Sequence, residues 1–256
     1  MLKRALFSLA LVLLSLGAIV GAEIVIAARR EYLPTEPALE IGGRWGPATG
    51  RPLKLVVLGD STAAGVGAEK SDRSYPAQLA ARLGQDGYRV RLSALGVSGA
   101  RTGDVLREQV PHAEGLDPDL VFVGIGANDA IHVTPIDSVR SDMEEVLRRL
   151  RATGAAVVVA GAPDMHIEAF LEPLRSLSAW RGRMVEDAIT SVARSQGVPV
   201  VPLRAVAGPR FAANPRLYNS ADRLHPSAAG YDVWVDAILP VVRGALSGTP
   251  VGQGHG

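Results

Sequence analysis

Five short apolar runs recur along the chain, at residues 53–58, 90–95, 120–125, 155–160 and 198–202. The first reads Leu-Lys-Leu-Val-Val-Leu and runs into a glycine. A strand with one wet face alternates apolar and polar residues, whereas a nearly continuous apolar run of this length fits a strand covered on both faces. Between the runs, apolar residues fall at helical spacing at about 75–83, 102–110, 137–152 and 175–196, with polar faces such as Glu144-Glu145 and Arg148-Arg149. A last helix is expected over about 227–246, after Pro226, a residue suited to a first helical turn. Strands alternating with helices predict an α/β domain, with a parallel sheet between two layers of helices. In such sheets ligands bind beyond the carboxyl ends of the strands, so chemistry is expected just after each apolar run.

The residues ahead of the first run depart from this pattern. Across 5–28 the only ionisable side chain is Glu23, and Lys3-Arg4 and Arg29-Arg30 flank the stretch. As a helix it would span about 36 Å, against a hydrocarbon core of about 30 Å. Residues 1–28 are therefore expected to be a membrane anchor. The alternative is a cleaved signal peptide, since Val20-Gly21-Ala22 has the small-residue pattern of a processing site. Either reading implies export. Residues 29–52 are rich in Pro and Gly and are expected to be a linker, 53–246 a single folded domain, and 247–256 a disordered polar tail.

Composition narrows the chemistry. Lys and Arg number 27 against 26 Asp and Glu, a net charge of +1 that supplies no long-range field for nucleic acid. The absence of cysteine removes disulfides, thiolate metal sites and a cysteine nucleophile.

Four blocks stand where chemistry is expected. Gly59-Asp60-Ser61 follows the first run, placing a hydroxyl at a strand-to-helix turn with its N–H at a helix N-terminus. Alone, this triplet reads as a helix cap. Gly96-Val97-Ser98-Gly99 follows the second run, where glycine lets a backbone N–H approach a substrate oxygen or simply serves a tight turn. Gly126-Ala127-Asn128-Asp129 follows the third, offering a side-chain amide to an oxyanion or to an Asx turn. Asp222-Arg223-Leu224-His225 precedes the last helix, and its spacing lets a carboxylate fold back onto one imidazole nitrogen while the other faces a serine. Asp60 and Asp129 read as residues that brace turns. Asp164-Met165-His166-Ile167-Glu168 reads as a pocket wall rather than as part of a metal site.

Taken together and in this order, the blocks resemble the SGNH hydrolase family, the GDSL esterases and lipases, over about residues 53–246. The resemblance implies a flavodoxin-like three-layer α/β/α sandwich with a five-stranded parallel sheet. It implies a Ser61–His225–Asp222 triad, an oxyanion hole made by the N–H groups of Ser61 and Gly99 and the amide of Asn128, and hydrolysis of carboxylic esters without metal or cofactor. Short acyl chains are the expected substrates. The sequence departs from the family pattern at Thr62, where the GDSL name has Leu, and at Ala94, where many members have Asn. Two other functions remain open: acyl transfer or deacylation on cell-envelope glycans, and a non-catalytic exported binding module. Expected partners are an ester substrate and, through the N-terminal segment, a membrane.

Overall fold

Four of the five apolar runs form parallel strands of one sheet in the computed structural model, which describes residues 2–248. These are β2 (Arg51–Gly59), β3 (Tyr88–Ala94), β4 (Leu120–Gly124) and β5 (Ala156–Ala160). Ahead of them comes β1 (Gly42–Trp45), and the sheet order is β1-β3-β2-β4-β5. The central strand, β2, is held on both sides, with Leu55 in register with Leu92 of β3 and Leu120 of β4.

Period-two alternation sends the side chains of β2 into two separate cores. Leu53, Leu55 and Val57 pack on one face with α2 (Tyr75–Gln85), α8 (Leu203–Ala213) and α10 (Ala228–Gly248). Val56 and Leu58 pack on the other with α6 (Ile136–Ala152) and α7 (Leu174–Ser195). The same side carries a helical stretch made of α3 (Thr102–Asp104), a π-helical turn at Val105–Gln109 and α4 (Val110–Gly115). Two short helices, α5 (Ala127–Ile131) and α9 (Pro215–Tyr218), complete the set. This is the α/β sandwich expected from the sequence.

The membership of the sheet differs from expectation at both ends. Residues 198–202 contribute only one bridge, Val200 beside Val159, in which Val159 N–H donates to Pro199 O at 3.0 Å and Val201 N–H to Val159 O at 2.8 Å. Pro202 has no N–H to extend the ladder, and the chain turns into α8. The fifth strand is instead β1, antiparallel to β3, so four strands are parallel and one edge is not. It arises within the stretch expected to be a linker, where Ile41 is also buried.

The N-terminal segment is one helix, α1 (Leu2–Arg29), long and apolar enough to cross a membrane. Its far end touches the domain: Glu23 is buried, and its Oε2 accepts the N–H of Leu174, the first residue of α7, at 2.9 Å. At the other terminus Ser247 and Gly248 continue α10, and the rest of the tail lies outside the described residues.

Candidate active site

The first three blocks sit at the carboxyl edges of their strands, and the fourth reaches them from the turn ahead of α10. Ser61 follows the end of β2, held by turns rather than by a regular helix: Ala64 N–H donates to Asp60 O at 3.0 Å and Val66 N–H to Ser61 O at 2.9 Å. The expected helix does not form because Gly65 and Gly67 take positive φ, 78° and 92°, and end the coil. The loop after β3 lies directly on this coil, since a Cβ on Gly96 would come within 2.5 Å of the Ala63 side chain. That close approach is what the first glycine of the second block permits.

Two buried aspartates fix the loops. Asp60 accepts at Oδ1 both the N–H (3.0 Å) and the hydroxyl (2.8 Å) of Thr62. Burial raises its pKa, and the two bonds from Thr62 work against that rise. Thr62, one of the two departures from the family pattern, thus donates through its hydroxyl a hydrogen bond to Asp60 that leucine could not. Asp129, on α5, reaches across to α3 and accepts the N–H and the hydroxyl of Thr102, both at 3.0 Å. It braces one block against another rather than its own turn.

Ser61, His225 and Asp222 come together. Nε2 of His225 lies 3.0 Å from Ser61 Oγ, and Nδ1 lies 2.7 Å from Asp222 Oδ2. This partnering assigns the proton to Nδ1 and leaves Nε2 as acceptor. The i to i+3 fold-back places Arg223 at φ +59°, a left-handed conformation held by the bonds of Arg223 N–H to Ser220 O and Ser220 N–H to His225 O. Asp222 is buried, which alone would raise its pKa. The His225 ring and the N–H groups of His225 and Leu224 outweigh burial and hold the carboxyl far below the usual range.

Asn128 lies at the start of α5, lines the same cavity as Ser61 and His225, and donates through Nδ2 to Ala100 O at 3.1 Å. Gly99 takes φ +82° in the exposed turn after β3. Among the described residues no protein acceptor takes the N–H of Ser61 or of Gly99. The cavity is about 430 Å³, and Pro163, Asp164, Met165, His166, Ile167 and Glu168 make up one wall of it. No group of three or more metal-competent side chains occurs among the described residues. His112 and His132 are bonded within their own helices, and His255 lies outside the described residues.

Three contributors leave little or no signal in the sequence. Gln109, buried on the π-helical turn, donates through Nε2 to Gly59 O (2.8 Å) and accepts Gly59 N–H at Oε1 (2.9 Å), clamping the strand end that carries Ser61. Its signal was a polar residue four after Val105 on the apolar face of the expected helix. Ser220 Oγ donates to Asp222 Oδ1 at 2.8 Å, two residues ahead of the carboxylate. Leu33 N–H donates to Asp222 Oδ2 at 3.2 Å, and a backbone donor from a distant segment leaves no sequence signal.

A mostly parallel α/β sandwich with a Ser–His–Asp line at its carboxyl edge is the architecture of an SGNH hydrolase. The chain belongs to the GDSL-like lipase/acylhydrolase family, whose model matches residues 57–233. It is 36% identical over 208 residues to a GDSL-like esterase of Mycobacterium tuberculosis, covering 80% of this chain and 66% of that protein. It is 28% identical over 199 residues to esterase TesA of Pseudomonas aeruginosa, covering 75% of this chain and 89% of that protein. Among solved structures, an α/β hydrolase enzyme from the Lake Arreo metagenome superposes with a TM-score of 0.62 at 26% identity, over 77% of this chain and 97% of that one.

Proposed function

We propose that the protein hydrolyses carboxylic esters through an acyl-enzyme on Ser61. The observation that carries this is the continuous line from Ser61 Oγ to His225 Nε2 (3.0 Å) and from His225 Nδ1 to Asp222 Oδ2 (2.7 Å). His225 takes the hydroxyl proton as Oγ bonds to the ester carbonyl carbon. The tetrahedral oxyanion accepts hydrogen bonds from the N–H groups of Ser61 and Gly99 and from Asn128 Nδ2, which turns away from Ala100 O to reach it. Collapse expels the alkoxide, which leaves with the proton from His225, and water activated by the same imidazole then releases the acid and restores Ser61. The negative charge of Asp222 stabilises the imidazolium formed in each step.

The acyl group is short, in keeping with a cavity at the small end of ligand pockets. The catalytic domain works outside the cytoplasmic membrane, tethered by α1. Release of p-nitrophenol from p-nitrophenyl acetate tests the reading. Ser61→Ala abolishes turnover while the circular dichroism spectrum is kept; turnover equal to wild type in a folded variant overturns it.

A further inference from the structure

The contact between α1 and the domain fixes more than a tether. The apolar run begins at Ala5, and twenty residues of helix cover a hydrocarbon core of about 30 Å, so a span that starts there reaches Ile24. Glu23 is inside that span. Val20, Glu23 and Ala27, spaced three and four apart, are the positions of the last turns that the domain covers, while Ile24, Val25 and Ile26 stay about half exposed. The apolar surface of the helix therefore continues alongside its docking site. Glu23 is the exception in composition because it faces protein, accepting the Leu174 N–H that its neighbour Pro173 leaves uncapped. A second tie, from Arg30 Nη1 to Ala169 O at 3.4 Å, holds the same segment.

The start of α7 thus lies at the depth of the membrane surface, and its composition suits that place. Leu171 (53% exposed), Leu177 (43%) and Trp180 (53%) flank Leu174, whereas further along the exposed line of α7 stand Arg183 and Asp187. Apolar and tryptophan side chains at the end nearest the anchor, with Arg30 tied to Ala169 O and Arg175 next to Leu174 in the chain, form an interfacial belt broken by the exposed Glu172. The same segment builds the ester cavity: Ile167, Glu168 and Arg175 line it, and Arg175 donates to Phe170 O and Glu168 O at 2.9 and 3.1 Å.

We propose that Leu171, Leu177 and Trp180 seat in the bilayer that α1 crosses, so that the cavity opens at the membrane surface and takes its ester from an amphiphile held in that bilayer. The substrate half of the proposal rests on the esterase reading above; the surface half does not.

The chain has no cysteine, so a single introduced cysteine gives a unique label. Full-length protein in vesicles of phosphatidylcholine and phosphatidylglycerol carries a nitrobenzoxadiazole dye at Leu177→Cys, Trp180→Cys or, at the end of α6 that leads into the amino end of β5, Arg151→Cys. Labels at 177 and 180 are expected to be quenched by spin-labelled lipid and shielded from iodide, and the label at 151 the reverse. Equal iodide access at all three overturns the proposal, and so does shielding without lipid quenching, which means that another protein chain covers the patch. Two acetates then separate location from chemistry: water-soluble p-nitrophenyl acetate and hexadecyl acetate dissolved in the vesicles. Leu177→Glu and Trp180→Glu are expected to lower hydrolysis of hexadecyl acetate about tenfold, the order of a charge forced against lipid, and p-nitrophenyl acetate hydrolysis less than about twofold. Equal losses on both esters overturn the substrate half. If wild type hydrolyses neither acetate, the esterase reading and the substrate half fail together, and the labels still decide the surface.

Discussion

Gln109 sits on an apolar helix face among Val105 and Val110, yet it is almost fully buried, because both halves of its amide are spent on the backbone of Gly59. Replacing it with leucine keeps the volume and strands the Gly59 N–H, a buried donor whose loss of partner costs about 1–3 kcal/mol. Gln109→Leu is therefore expected to lower the unfolding free energy read from urea titration by that amount and to reduce turnover, since the Ser61 turn hangs from Gly59; an unchanged unfolding free energy contradicts the clamp. Asp222 makes a different prediction, about pH. Its native pKa lies well below the value of about 3.9 in an unfolded chain, because bonds from His225 and Leu224 outweigh burial. As pH falls the unfolded chain takes up the proton first, so the stability this carboxylate confers is present above about pH 4 and is lost as pH drops towards the native value. The difference in urea midpoint between wild type and Asp222→Asn should be widest at neutral pH and close below about pH 4. A difference that stays constant down to acid unfolding would show that the carboxylate is not held in its charged form.

The segment between α1 and β1 was expected to be a linker, and part of it reaches the candidate site. Leu33 N–H and the His225 ring share Oδ2 of Asp222, so the position of the carboxylate depends on a residue from outside the sheet. Leu33→Pro removes that one N–H in the full chain, whereas Leu33→Ala keeps it. Loss of a hydrogen bond of about 1 kcal/mol is expected to lower kcat about fivefold for the proline variant with KM unchanged, and to leave the alanine variant near wild type. Equal kinetics for the two would remove the segment from the site. The sequence hid this contact for a physical reason: a backbone donor is common to every residue except proline, so no composition marks it. The same reason hid β1, whose Gly-Gly-Arg-Trp is mostly exposed, pairs with β3 through the backbone and leans Trp45 on the core. What was legible were the elements that bury side chains on both faces. β2, β4 and β5 had to be nearly continuously apolar to stand between two helix layers, and the blocks after β2, β3 and β4 had to follow them in the chain. Residues 198–202 carried the same apolar signal, but neither Pro199 nor Pro202 has an N–H to give, and only Pro199 O and the N–H of Val201 join β5. α8 leaves no clear helical pattern in the sequence because Gly208 and Pro209 interrupt it.

For the molecule as a whole, the question is whether α1 is a passive leash or a docked part of the domain, and Glu23 decides it. A carboxylate in an otherwise apolar helix is costly in lipid unless it meets a donor, and the first turn of a helix supplies one along with the positive end of its dipole. Here the donor is Leu174 N–H, on a helix whose own N-cap position, Pro173, makes no side-chain cap. Glu23 thus does for α7 what a local Ser or Asp does for most helices, from 151 residues away. Loss of such a cap costs about 1 kcal/mol, roughly a fivefold rise in the opening of the first turn. In the full chain held in vesicles, Glu23→Ala should therefore speed amide hydrogen exchange about fivefold across the start of α7, with Leu174 the most affected. Exchange in β2 and β4 should not change, because those strands are buried far from the contact. Exchange at α7 matching wild type would mean that the two parts move independently. A rise spread evenly over the sheet would mean that the substitution unfolds the domain rather than frees the anchor.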